Sequence, residues 1–263
     1  LPLSGFQREL GRLLAKNRSE DSYLAGDAAI LAQPRSTRFS QDIAYFHDSA
    51  ARVAKAFKDD QDTLTRAGIA VETDISQPGY IRAVVRRADQ ATKIEWAHDS
   101  AWRFMPVQRS AEFGYALHPV DLATNKVLAL AGRDEARDLV DALYLHKEML
   151  PLGALVWAAA GKDPGYSPLS LLEALRRHGK VRPEELARLQ LSAPMDPKRV
   201  KAEWLGALDS ADAFIRGRPA HEAGCLYYSS RTRTFVVPEA GDTGTVLPHF
   251  GGPGGVIPAI GGV

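Results

Sequence analysis

Asp42-Ile43-Ala44 places an acid, an apolar residue and a small residue on what reads as a short strand, Asp42 to Phe46. Side chains alternate along a strand, so positions 42 and 44 share a face, where two acids could hold a divalent cation between them. Ala44 has no ligand atom, and the segment therefore reads as a metal-binding carboxylate pair with one member missing. Glu95, in Lys93-Ile94-Glu95-Trp96, is a further acid on a strand, and Asp99 follows it. Hard cations such as Mg2+ favour carboxylate oxygens and share them with the phosphates of a bound nucleotide. Asp48 is a poor replacement for the missing acid, because four residues beyond Ala44 amount to about 13 Å of strand. Taken one at a time, these acids also have a plain reading as solvated or salt-bridged surface groups.

Upstream, Leu24-Ala25-Gly26-Asp27-Ala28-Ala29 is a small-residue turn. Gly26 lacks a side chain and would let backbone approach a phosphate closely. Asp27 beside it repels phosphate unless its carboxylate is paired or turned away. There is no Walker pattern. Downstream, Lys126, Arg133, Arg137 and Asp141 fall on one stripe of a continuous helix at about 100 degrees per residue, and Asp138 falls off it. As chemistry, Lys126 would neutralise a nucleotide phosphate and Asp141 would accept a proton or a cation. As structure, the stripe is a solvated face with an Arg137–Asp141 pair worth a few tenths of a kcal/mol. The histidines His47, His98 and His146 lack a metal-ligand spacing and read as structural or supporting groups, and Cys225 reads as buried. The four tryptophans are too dispersed for a base-stacking platform.

These residues need elements to hold them. Leu3, Phe6, Leu10, Leu13 and Leu14 have helical spacing, which predicts an opening helix from Leu1 to Arg12. The stretch Tyr23 to Ile30 and the break at Pro34 to Ser36 lead into the strand at Asp42. A helix over Ser49 to Ala67 ends at Gly68, and strands follow at Ile69 to Ile75, Tyr80 to Arg86 and Thr92 to Ala97, giving a mixed sheet flanked by helices. After Pro119, with Asp121 as a cap, helical periodicity runs to Met149, with Gly132 able to divide it. Further helices are expected at Pro168 to His178, Pro183 to Leu191 and Pro197 to Ile215, each opened by a proline. Gly224 to Ser229 and Thr232 to Val237 predict a hairpin, and Glu239 to Val263 an irregular Gly/Pro-rich tail. The fold class is α+β, with an α/β domain over 1–118, a helical domain over 119–220, and a hairpin and tail over 221–263.

Bulk properties exclude little. The 263 residues, 45% hydrophobic and 25% charged, describe an ordinary globular chain with room for one large or two modest domains. A formal net charge of +1 gives no global case for nucleic acid. One cysteine excludes an internal disulfide and fits a reducing compartment, so the cytoplasm is expected. No apolar run approaches the roughly 18 to 20 residues of a membrane span.

Two separated segments together resemble the AbiEii/AbiGii-type nucleotidyltransferases, a family related in fold to the DNA polymerase beta group and often found as toxins with a paired antitoxin. The first is Leu24 to Ala29 followed by Arg38-Phe39-Ser40-Gln41-Asp42-Ile43-Ala44, similar to the family's small-residue turn and acid-x-acid strand. The second is Lys126 to Leu143, similar to its lysine, arginine and Arg-Asp-x-x-Asp pattern. The resemblance covers residues 20–150 and implies a nucleotidyltransferase domain. Gly26 and the adjoining Asp27 backbone would approach the triphosphate. Asp42 would bind Mg2+, with Glu95 as a further ligand, and Lys126 would contact phosphate while Asp141 serves as base or orienting acid. The implied reaction transfers NMP from an NTP to an acceptor hydroxyl, with RNA, a tRNA end among the forms considered, as acceptor. Arg82, Arg86, Arg87, Arg103 and Arg109 are candidate phosphate contacts. Asp27 departs from the glycine or serine usual at that position, and Ala44 replaces the second acid. Weak or absent activity in this chain is therefore expected, with Ala44 read as a replacement, introduced or natural, in an active parent. Two alternatives remain: a catalytically inactive module that binds a partner protein, such as an antitoxin, through its helical half, or transfer to a protein or small-molecule hydroxyl.

Overall fold

The computed structural model describes residues 3–31, 38–239, 242 and 244–259. The break expected at Pro34 to Ser36, residue Leu1 and the end of the tail lie outside the described residues. The chain divides into two compact units, Leu1–Leu122 with Pro253–Gly255, and Ala123–Gly252 with Val256–Val263.

The first unit opens with helix α1 (Gly5–Leu14), where Ser4 and Gln7 form a reciprocal capping box. Strand β1 (Ser22–Ala25) runs directly into the short helix α2 (Gly26–Leu31). Strand β2 (Asp42–His47), helix α3 (Ala50–Arg66) and strands β3 (Ala70–Gln77), β4 (Tyr80–Arg87) and β5 (Gln90–His98) follow, then the short strands β6 (Trp102–Arg103), β7 (Gln108–Ser110) and β8 (Gly114–Ala116). Seven strands form one mixed sheet in the order β3-β4-β5-β2-β1-β8-β7. The β2–β5 and β1–β8 pairs are parallel and the others antiparallel. The α+β class expected from the sequence is the observed one.

One face of β2 is the more deeply buried. Ile43, Tyr45 and His47 are fully buried, and so are Ile94 and Trp96 on the neighbouring β5. That face is covered by α3, where Phe57 meets Trp96 edge to face at 5.1 Å and Asp60 accepts the Trp96 Nε1–H at 2.7 Å. Asp60 also accepts from Arg18 at 2.5 Å and from Asn17 at 2.8 Å, so a buried carboxylate ties α3 to the sheet and to the end of the opening helical region. The opposite face of β2 and β5 carries Asp42, Ala44, Lys93 and Glu95.

The second unit is largely helical. Helix α4 (Pro119–Gly132) begins in the first unit and continues into the second. It is followed by α5 (Ala136–Glu148), α6 (Leu152–Lys162), α7 (Pro168–His178), α8 (Pro183–Arg188) and α9 (Pro197–Arg216). Strands β9 (Leu226–Ser229), β10 (Thr234–Val236) and β11 (Val246–His249) form a three-stranded antiparallel sheet in the order β10-β9-β11.

The run to Met149 divides after Gly132, as that glycine allowed, the chain leaving helical geometry between Gly132 and Ala136. Other expectations are corrected. Asp121 does not cap α4; its carboxylate accepts the backbone N–H of Phe104 at 2.7 Å and of Met105 at 3.0 Å. Helix α6 escaped periodicity because residues 152–159 are all buried, and a helix that is apolar on every side has no stripe to detect. The tail is not irregular throughout, since Val246–His249 adds a third strand to the hairpin.

Candidate functional site

The first centre is built where β1 turns into α2. Register sets Ala25 opposite Ala44 across the β1–β2 pair, and Ala44 beside Glu95 across the parallel β2–β5 pair. Gly26 follows at φ +61, in the left-handed region that glycine enters without strain. A Cβ on Gly26 would lie 3.1 Å from the Ala44 Cβ, so the turn passes directly over the strand position that lacks its acid. Glu95 accepts the Tyr80 hydroxyl at 2.8 Å, which fixes one of its oxygens. Burial, reinforced by Glu95, pushes the Tyr80 hydroxyl up to about 12, so it is a proton donor at neutral pH. Asp42 is half-buried at the head of β2, where Ser40 Oγ donates to its backbone carbonyl at 2.8 Å.

Asp27 carries the pairing that the sequence made a condition for phosphate to approach. Its carboxylate meets Arg38 at 2.5 Å, with both side chains buried. Arg38 thus serves Asp27, although in sequence it is nearer the Asp42 strand. Asp48 is engaged elsewhere: Arg103 reaches both its oxygens at 2.9 Å, and Tyr23 donates to it at 3.2 Å.

The second centre is in the helical unit. Lys126 of α4 donates to Asp138 of α5 at 2.6 Å and lies 3.1 Å from Asp141. Arg133, in the break between the helices, adds bonds of 2.6 and 3.2 Å to Asp138. Both acids and the lysine are buried. Burial alone would raise the Asp138 carboxyl; Lys126 and Arg133 outweigh it and hold the group below the usual carboxylate range. The break between α4 and α5 overturns the single-stripe reading: Asp138, which fell off that stripe, accepts from Lys126. Arg137 meets Glu135 at 2.6 Å. The signal for Asp138 was available, because residues 138 and 141 are three apart on one helix and so share a face.

The structure therefore gathers Gly26, Asp42, Ala44 and Glu95 in the first unit, with the Asp27–Arg38 pair close in sequence to both segments. It gathers Lys126 and Asp141 in the second unit, together with Asp138. Of the arginines considered for nucleic acid, Arg82 pairs with Asp74 at 2.6 Å, Arg86 with Glu72 at 3.8 Å and Arg87 with Glu9 at 2.6 Å. Arg103 is buried against Asp48 and cannot reach an external phosphate. Arg109 stacks on Tyr115 at 5.2 Å. Burial raises the Cys225 thiol to about 11, which leaves it unreactive at neutral pH. His146 Nδ1 accepts the Leu152 N–H at 2.9 Å, and His47 is fully buried; both are structural.

Asp42, Ala44 and Glu95 share one sheet face, with Ala44 paired to Glu95 and Asp42 to Lys93. No helix among the described residues is long and apolar enough to cross a membrane.

No protein-family model matches the sequence, and no curated protein matches it at the sequence level. Comparison with solved structures does find similar chains. A nucleotidyltransferase candidate from H. pylori is 19% identical, over 79% of this chain and 94% of its own, with a TM-score of 0.49. JHP933 from Helicobacter pylori is 19% identical, over 81% and 95%, with a TM-score of 0.47. MenT4, a nucleotidyltransferase toxin from Mycobacterium tuberculosis H37Rv, is 17% identical, over 82% of this chain and 83% of its own, with a TM-score of 0.57. The chain thus has an α+β fold similar to that of a known nucleotidyltransferase toxin.

Proposed function

We propose that this chain is a toxin-type nucleotidyltransferase of the AbiEii kind, working in the cytoplasm beside a paired antitoxin, that moves NMP from an NTP to an RNA hydroxyl, a tRNA end being the form first tested. The fold shared with MenT4 supports the class. The observation that carries the reading is the position of Ala44, under the Gly26 turn, paired in register with Glu95 and on the same strand face as Asp42.

In this reading Asp42 and Glu95 hold Mg2+, which when bound would offset phosphate charge and align the attacking and leaving oxygens. Tyr80 keeps the Glu95 carboxylate oriented. The Gly26–Asp27 backbone approaches the triphosphate, and the Arg38 pair relieves the repulsion that Asp27 would otherwise exert. Lys126 supplies positive charge to phosphate, and Asp141 takes the proton of the attacking hydroxyl. The acceptor oxygen bonds to the α-phosphorus, the bond to the bridging oxygen breaks, and pyrophosphate leaves with that electron pair. Without a carboxylate at position 44 the chain loses about 3 kcal/mol of transition-state stabilisation, the size of one preorganised electrostatic group.

The test incubates the chain and its Ala44→Asp variant with labelled NTPs, Mg2+, and separate RNA, protein and small-molecule acceptors. Label transferred to RNA by the variant, at about a hundredfold the rate of the parent, supports the reading. Label on protein or a small molecule moves the acceptor, and label on nothing overturns the enzyme.

The absent donor at Ala44 also favours a second reading, a partner-binding module without catalysis. Calorimetry separates the two, because Mg2+-dependent NTP binding that Lys126→Ala weakens would count against the module.

A further inference from the structure

An apolar groove of the helical unit lies between α7 and α9. A groove of about 370 Å³ opens there, lined by the end of α7, the turn after it and one face of α9. Lys201, Trp204, Leu205 and Leu208 recur at positions i, i+3, i+4 and i+7 of α9, which puts them on one helical stripe. Trp204 and Leu208 are buried in its floor, and Val181 closes it on the turn side. Leu205 stands 49% exposed, an unusual position for a large aliphatic side chain on a stripe that is otherwise core. Gly179 allows the close packing beneath, since a Cβ there would lie 2.7 Å from the Trp204 indole.

The charged residues lining this groove are all basic: Arg176, Lys180, Arg182 and Lys201. Cations are expected near the C-terminus of α7, where they offset the helix dipole, and that accounts for Arg176. It does not account for Lys201, which projects from a different helix, or for Lys180, beyond the helix end. Arg176 and Arg182 are shared with neighbouring acids, Arg176 with Glu173 and Asp209, and Arg182 with Asp134 and Glu185. Lys180 and Lys201 are exposed and have no acidic partner among the described residues. An apolar floor between two uncommitted ammonium groups is complementary to an apolar side chain flanked by carboxylates.

We propose that the α7–α9 groove docks an acidic segment of a partner protein, a leucine-like anchor covering Leu205 while flanking carboxylates meet Lys180 and Lys201. A protein segment fits better than single-stranded RNA, because RNA recognition needs exposed aromatic faces for stacking and Trp204 is only 2% exposed. Docking there does not depend on nucleotidyl transfer.

The test uses the full chain and two fluorescein-labelled probes: a short peptide with a central Leu-Leu pair between glutamates, and an oligouridylate of matched length. Fluorescence anisotropy should show saturable binding of the peptide that weakens with salt. Replacing the peptide leucines with serine, or the chain's Lys180→Glu/Lys201→Glu double change, should each weaken it about tenfold or more. Both lysines are exposed, so unchanged far-UV circular dichroism is expected and checks that the double variant folds. Absence of saturable peptide binding, or equal binding to the double variant, overturns the proposal. Binding of the oligouridylate in place of the peptide, lost in the same variant, makes the groove an RNA site and also overturns it.

Discussion

Gly26 and Ala44 are packed against each other through the absence of side-chain atoms: at φ +61, a Cβ on Gly26 would stand 3.1 Å from the Ala44 Cβ. Two small residues in separate motifs are thus one steric unit. Gly26→Ala must accept both a left-handed backbone and a tight contact, and should destabilise the chain by about 1–3 kcal/mol. Urea unfolding measures this. A cost below about 0.5 kcal/mol would mean that the turn relaxes and the contact does not constrain position 44.

Lys126, Asp138 and Asp141 form a buried cluster in which removing the lysine takes a cation from both carboxylates and leaves Asp138 with Arg133. Lys126→Met should cost about 3–5 kcal/mol, and adding Asp138→Asn should recover part of that loss. The comparison to make is the midpoint of chemical unfolding for the single and double variants. If the double variant is no more stable than the single, Lys126 and Asp138 are not coupled.

His47 gives a pH signature. Burial, with Arg18 and Arg52 adding to it, depresses its imidazole to about 3. The unfolded chain, with a histidine pKa of about 6.5, takes up the proton first on acidification, so the His47 contribution to stability is lost as pH falls from about 6.5 towards 3. Neither ring nitrogen has a hydrogen-bond partner, so His47→Met removes the titration without breaking a bond. Relative to the parent, this variant should gain up to about 1.4 kcal/mol per pH unit across that window. Stability curves at several pH values that stay parallel would refute the assignment.

Asp60 joins Arg18, Asn17 and Trp96 beneath α3. Asp60→Asn leaves the buried Arg18 charge without its partner and should cost about 3–5 kcal/mol, whereas Trp96→Phe, which loses a hydrogen bond and some volume, should cost less, about 1–2 kcal/mol. Thermal unfolding of both variants and their combination gives the ranking and the coupling. Equal costs would show that the ion pair is not the dominant member of the network.

Most of the elements were legible in the residues because their signals are local. The capped helix at Ser49, the proline-opened helices at 168, 183 and 197, and the alternating strands from Tyr80 to His98 each carry their pattern within one stretch of chain. Asp42-Ile43-Ala44 was likewise visible as an acid and a vacancy on one strand face, since alternation needs no knowledge of neighbours. Helix α6 and strand β11 were hidden, the first because it is apolar all round and the second because its strand character depends on β9 beside it.

Only the tertiary structure decided what those residues touch. Register put Ala44 beside Glu95 and under Gly26, and the break after Gly132 swung Asp138 onto Lys126. It also committed four of the five candidate nucleic-acid arginines to acids, several of them on other elements. Sequence spacing fixes which residues share a face of one element; strand order and helix breaks fix which faces meet. Charge pairing is a property of those meetings, so the partners of Lys126 and Asp27 became visible only once the chain was folded.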